Sequence, residues 1–351
     1  MGFRANSKVF ILLVFAFSLA WSSLGVGGET SISEEEDAEL ERQLKIINKP
    51  AIKVIKTDYG DIYDCVDVNK QPAFDHPLLK NHKIQMRPTS IPSGISDKAS
   101  SMEEPSTIRP SKIGLKRGCP LGTVPIRRTQ KEDLIRVKSI PKKDPTNIEP
   151  QTDSAPGHHV NPGLYGDNLT RLYTSWTADG YDKTGCFNIL CAGFVHISTT
   201  TALGLAFDLS VIDGIQYETH MVIYQDMLTG NWWLSVQDDA HVGYWPKSLF
   251  TNLASFASVV QWGSEVYGPP GEASPPMGSG RLPSEGLYRA CFFRMLQVIY
   301  ESDLVDLEET ASLRMPIDHP NCYSSDMIKW SSNVMKYFFF VGGPGGMGCG
   351  V

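Results

Sequence analysis

Among the residues that could do chemistry, Glu265 stands in the most telling company. It lies in Gln261-Trp262-Gly263-Ser264-Glu265-Val266, with Val259 and Val260 just upstream. Residues 259–266 read as a strand. A carboxylate among such neighbours is either an exposed strand charge or an acid/base group tuned by burial. Peptide hydrolysis by carboxyl groups needs two of them. One takes a proton from the attacking water; the other, kept protonated, polarises the carbonyl or protonates the leaving amine. Other chemistries lack their signatures. The sequence has no Gly-x-Ser-x-Gly elbow, no His-Glu-x-x-His and no phosphate loop. It has no Cys-x-x-Cys pair, and neither zinc nor any other cofactor is expected.

The elements that must position Glu265 follow from pattern. Arg4 and Lys8 precede an apolar run over residues 9–21, and small residues follow up to Gly28. That order predicts a secretory signal peptide over residues 1–28, and the run is too short to span a bilayer. The destination is then secreted or vacuolar, with no membrane association after cleavage. In that oxidising setting the seven cysteines should pair, leaving one over. Cys186 and Cys191 flank a short loop, Cys322 and Cys349 bracket the C-terminal segment, and Cys65 and Cys119 both precede residue 150. Cys291, in an apolar strand, is the expected free thiol. Residues 34–49 read as an amphipathic helix opened by a Ser33/Glu36 capping box. Residues 246–256 read as a second helix, with Leu249, Leu253 and Phe256 on one face. Beyond residue 164, short strand-like runs alternate with turn signals: 194–197, 217–224, 231–236, 242–245, 290–300 and 337–341. Such a pattern predicts an antiparallel β-sandwich. Asn168-Leu169-Thr170 is an N-glycosylation acceptor in an expected surface turn.

Charge divides the chain. Residues 29–79 carry 6 basic and 12 acidic side chains, residues 80–150 carry 15 and 7, and residues 151–351 carry 9 and 20. The basic stretch lacks interleaved aromatics, and its acidic neighbour would repel phosphate, so nucleic acid is not an expected partner. An intramolecular clamp is expected instead, of the basic segment on the acidic domain; the contrary reading is that apolar contacts such as those of Phe74, Leu78 and Leu79 hold the two parts together.

Several stretches carry a family resemblance. Gln71-Pro72-Ala73-Phe74-Asp75-His76-Pro77-Leu78-Leu79 and Cys119-Pro120-Leu121-Gly122-Thr123-Val124-Pro125 resemble the propeptide of the neprosin family, secreted plant proteins whose active members are glutamic endopeptidases cleaving at proline. Leu164-Tyr165-Gly166-Asp167, Gly230-Asn231-Trp232-Trp233, Met277-Gly278-Ser279-Gly280 and Gly342-Gly343-Pro344-Gly345 resemble blocks of its catalytic domain. The resemblance implies a mainly β, glutamic-peptidase-like sandwich over residues 151–351, preceded by a small propeptide domain over residues 29–150. It implies a peptide or protein substrate and the chain's own propeptide as partners. It also makes Glu265 one of two catalytic glutamates. The other belongs to a Glu-Ala-Gly-Trp motif shortly before the Leu-Tyr-Gly-Asp block. Here His158-His159-Val160 runs almost directly into that block, and the motif is missing; Ser264 also replaces an expected Gly. The sequence therefore predicts impaired or absent catalysis, unless Glu218, Asp167 or Glu285 substitutes. The alternative is a non-catalytic binding module for peptide or cell-wall carbohydrate, with Tyr165, Tyr181, Trp232, Trp233 and Tyr244 lining its face.

Overall fold

The helix Glu34–Ile47 begins where the capping box places it. Ser33 Oγ accepts from the Glu36 amide at 3.2 Å, and the Glu36 carboxylate accepts from the Ser33 amide at 3.4 Å. Four acidic residues in the first turn complement the helix dipole. At the far end, the Asn48 side chain exchanges two 2.9 Å hydrogen bonds with the backbone of Thr129. That pins the helix to a three-stranded antiparallel sheet of Ala51–Lys56, Ile62–Asp67 and Thr123–Arg127, with Ile62–Asp67 central. Tyr63, Cys65 and Val66 of the central strand are fully buried. The Cys65–Cys119 disulfide closes this unit. The computed structural model describes residues 9–10, 33–95, 107–139, 154–180, 184–237, 239–267, 271–307, 313–332 and 335–349. Most of the leader-like run, residues 140–153 and Tyr181 lie outside them; Val9–Phe10 pairs with Gln297–Tyr300.

The later part of the chain is mainly antiparallel β. Ser154–His159, Arg171–Trp176 and Cys186–Phe187 form one sheet; Met221–Gln225, Trp232–Val236, Asp239–Trp245 and Val195–His196 form another. Their inner faces share a core, in which Leu172 and Trp176 of the first meet Ile223, Trp232, Leu234 and Trp245 of the second. A second core lies where Cys291–Arg294 pairs with Tyr337–Gly342, with Phe293 stacked on Phe339 at 4.9 Å. The disulfides Cys186–Cys191 and Cys322–Cys349 fall in this part, and Cys291 is unpaired and half-buried. Two glycine motifs meet beside the second core, where the Met277 amide donates to Gly343 O at 2.9 Å. Gly345 has a φ of 67°, and a Cβ there would lie 2.3 Å from Ser274 O. Only glycine fits that turn.

Some expected elements are not formed. Residues 246–256 make two 3-10 turns, Lys247–Leu249 and Asn252–Ala254, instead of one helix. Phe250 is extended between them and packs edge-on against Trp176, with ring centroids 5.9 Å apart. The Leu253 carbonyl accepts from Trp232 Nε1 at 2.7 Å, so a side chain takes the acceptor that a helix would have used. Phe256 remains exposed. The run 290–300 splits at Met295, whose φ of 56° redirects the chain from the strand Cys291–Arg294 to Gln297–Tyr300 in a different sheet. Residues 259–266 are not a strand. They cross between the cores, with Val260 packed on the first and Trp262 and Val266 on the second.

Candidate active site

Glu265 sits on that crossing segment with its side chain exposed, between the half-buried Trp262 and Val266. Trp262 Nε1 and Ser264 Oγ are buried and make no hydrogen bond among the described residues. Buried polar atoms are almost always paired, so this segment presents donors without acceptors next to the candidate carboxylate.

The three other carboxylates considered from sequence are each held by arginine. Glu218, at the end of the strand Gln216–Glu218, is buried and receives both Nε and Nη2 of Arg294, the former at 2.5 Å. His220 lies 3.4 Å away. Burial opposes ionisation of Glu218, but the nearby His220 and the Arg294 guanidinium outweigh it and hold the carboxyl well below the usual range. It is a poor candidate for a carboxyl kept protonated. Asp167 accepts from Arg171 Nη2 at 2.6 Å and Nε at 3.2 Å. Glu285 lies within 3.8 Å of Arg281 and 3.7 Å of Arg289. Cys291 offers no alternative nucleophile, since burial pushes its thiol up to about 11.

The aromatic residues do not form an open binding face. Trp232, Trp233 and Tyr244 are fully buried, Tyr165 nearly so, and Tyr181 lies outside the described residues. Trp233 and Tyr244 pack at 4.7 Å as core. The polar end of Tyr244 is taken from the N-terminal side, where its hydroxyl bonds His82 Nε2 at 2.7 Å and accepts from the Gln85 amide at 2.9 Å.

That contact belongs to a larger seam that sequence reasoning missed. Asp226, at the tip of the hairpin joining Met221–Gln225 to Trp232–Val236, is buried. Its carboxylate accepts from Gln85 Nε2 at 2.6 Å, the Thr89 amide at 2.8 Å, Thr89 Oγ1 at 2.5 Å and Ser90 Oγ at 2.9 Å. Desolvation works against the charge, but these donors prevail and depress its pKa far below the carboxylate norm. Gln85 Oε1 in turn accepts from Asn231 Nδ2 at 2.8 Å. Further along, Gln71 brackets His196, donating to its carbonyl at 3.0 Å and accepting from its amide at 2.7 Å. Leu79 is fully buried in the first core. The strand Ile108–Pro110 pairs parallel with Gln216–Glu218.

The seam corrects the expected electrostatic clamp. Lys116, Arg127, Arg128, Lys131 and Arg136 of the basic stretch pair with Asp58, Asp61, Asp64, Asp37 and Asp133, all on the N-terminal side themselves. Among the described residues, an ion pair across the seam runs the other way, from Arg171 Nη1 to Asp61 at 2.7 Å, with both groups buried. Arg127 also crosses it, with its guanidinium over the Tyr165 ring at 5.7 Å, and neutral donors and apolar side chains add further contacts. Leu79 is buried there, while Leu78 is exposed.

Comparison with family models gives two matches, the neprosin activation peptide over residues 54–162 and the neprosin domain over residues 145–344. The first spans the small sheet and the segments that reach across the seam; the second spans both β cores and covers more than half of the 351 residues. The chain therefore belongs to the neprosin family.

Proposed function

We propose that this chain is a secreted, zymogen-like member of a family of prolyl endopeptidases in which catalysis is lost or severely impaired. Glu265 retains the position of one catalytic carboxylate and lacks the second. The observation that carries this reading is the state of the carboxylates. Glu265 is exposed on an irregular segment whose neighbours Trp262 and Ser264 have buried, unpaired polar atoms, and Glu218, Asp167 and Glu285 are each held by arginine. A partner strand bearing the first glutamate would supply both the missing acceptors and the second carboxyl. Two carboxyls close together raise one pKa, which is how such a site keeps its acid protonated.

Secretion or vacuolar delivery is supported by three disulfides and by the lack, among the described residues, of a helix long and apolar enough to cross a membrane. Asn168 is exposed, as an acceptor for glycan must be. The boundary near residue 150 is supported by the strand Ser154–His159, which pairs within the catalytic-type sheet. The direct test of the missing motif is the messenger sequence across residues 157–164. A transcript continuous there agrees with the proposal; one carrying an intervening segment with Glu-Ala-Gly-Trp refutes it.

A further inference from the structure

A cavity of about 780 Å³ opens on the seam, and none of the candidate catalytic carboxylates lines it. Its N-terminal wall is Arg87 with the turn Ser111, Lys112 and Ile113; its other wall is residues 197–201 with Val236, Gln237 and His241. Backbone hydrogen bonds fix the two walls relative to each other. The Ser111 amide donates to Glu218 O, and those of Leu115 and Cys119 donate to Thr200 O and Thr199 O, all at 2.8 Å. Ser198 Oγ accepts from the amides of Thr200 and Thr201 at 3.1 and 2.9 Å, and this tight turn brings a run of hydroxyls to the cavity.

Three features of this lining point to a ligand. Among the described residues it contains no Asp or Glu, and Arg87 and Lys112 are exposed and form no ion pair there. That sets them apart from Lys116, Arg127, Arg128, Lys131 and Arg136, whose charges are matched within their own unit. Ser111 is only 4% exposed, yet its Oγ has no hydrogen-bond partner among the described residues. A buried orphan hydroxyl at the edge of a polar cavity is a prepared binding group. Ile113, Ile197 and Val236 add apolar surface between the polar groups.

We propose that this seam cavity binds a carboxylated oligosaccharide, with Arg87 and Lys112 on the carboxylates, Ser111 and the 198–201 turn on sugar hydroxyls, and the apolar residues against ring faces. A cavity of this volume exceeds what a single inorganic anion fills, and the hydroxyl wall matches a polyhydroxylated partner better than a bare anion. Because both walls are needed, the ligand binds only while the N-terminal unit is docked. By mass action it then stabilises the docked form.

The test is calorimetric titration of the full-length protein at low salt and pH 6 with tri-galacturonic acid, tri-galactose and inorganic phosphate. At that pH the uronates are ionised and Lys and Arg are charged. The expected result is saturable binding of the trimer acid, weakened by added salt. Tri-galactose and phosphate should each bind at least about tenfold more weakly, as should tri-galacturonic acid to the Arg87→Ala/Lys112→Ala variant. The variant should keep the wild-type melting temperature, since both side chains are exposed, but lose the ligand-induced rise in it. No binding of the trimer acid overturns the proposal, as does unchanged binding by the variant. Equal binding of phosphate leaves an adventitious ion only, and equal binding of tri-galactose removes the role of the two cations.

Discussion

At the scale of single residues, the carboxylates separate by their partners. Glu218 and Arg294 form a buried pair joining two β segments, and removing one member leaves the other charged and unpaired. Glu218→Ala should destabilise the protein by about 3–5 kcal/mol, read from urea unfolding of the full-length chain. Asp226 is different, because its donors are neutral. Asp226→Ala should cost about 2–3 kcal/mol, the loss expected for hydrogen bonds to a charged acceptor. Neither residue was legible as structural in the sequence. Glu218 looked like any other strand carboxylate, since its partner Arg294 is 76 positions away. Asp226 lies in a hairpin turn, and nothing local to it signals that Gln85, Thr89 and Ser90 converge on it from more than 130 positions upstream. Cysteine pairing was easier to anticipate, because compartment, count and spacing all constrain it.

At the scale of elements, local rules succeeded where the signal is local. Ser33 and Glu36 fix a helix start through bonds that span three residues. The turn over 226–230 fixes a hairpin in the same way. Sequence failed where a distant side chain outbids the backbone, as with Trp232 at the Leu253 carbonyl, and where a strand-like run finds no neighbour, as at 259–266. A β-propensity pattern describes a surface that fits a sheet; it does not supply the adjacent strand. The parallel pair Ile108–Pro110 and Gln216–Glu218 was equally invisible, as long-range pairing is. It makes a specific prediction. The Gln216 amide, which donates to Thr107 O at 2.9 Å, should be protected from hydrogen exchange in the intact protein and exchange rapidly once residues 33–139 are removed. Protection that survives removal would show that this strand does not depend on the N-terminal unit.

At the scale of the whole molecule, the docked unit and the β cores meet mainly as donor and acceptor surfaces, more than as opposite charges, and this sets the pH response. Asp226 has a depressed pKa in the folded protein, so its contribution is complete above the ordinary carboxylate range and is lost only as pH falls through the lower folded value. His82 is partly buried against Phe74 and Tyr244, and burial lowers its pKa. Its neutral form is favoured in the docked state, so its contribution is present above the usual histidine value of about 6.5 and fades as pH drops through the folded one. Docking should therefore weaken slightly in mild acid and collapse only in strong acid. Thermal melts from pH 7 downward would show it. His76, half-buried against Trp176, has its pKa lowered in the same way, so His82→Gln should reduce the mild-acid step and His76→Gln/His82→Gln should remove it. A clamp of net charges alone would loosen as carboxylates protonate, at about pH 4; the actual partners of Lys116, Arg127, Arg128, Lys131 and Arg136 explain why that is not expected. As proposed above, the neprosin domain of this chain keeps one catalytic glutamate and has lost the chemistry. The most direct measurement is turnover of a proline-containing peptide at acidic pH by the protein freed of residues 1–150, beside its Glu265→Gln variant. The account predicts no cleavage by either. Cleavage by the wild type that disappears in Glu265→Gln would contradict it.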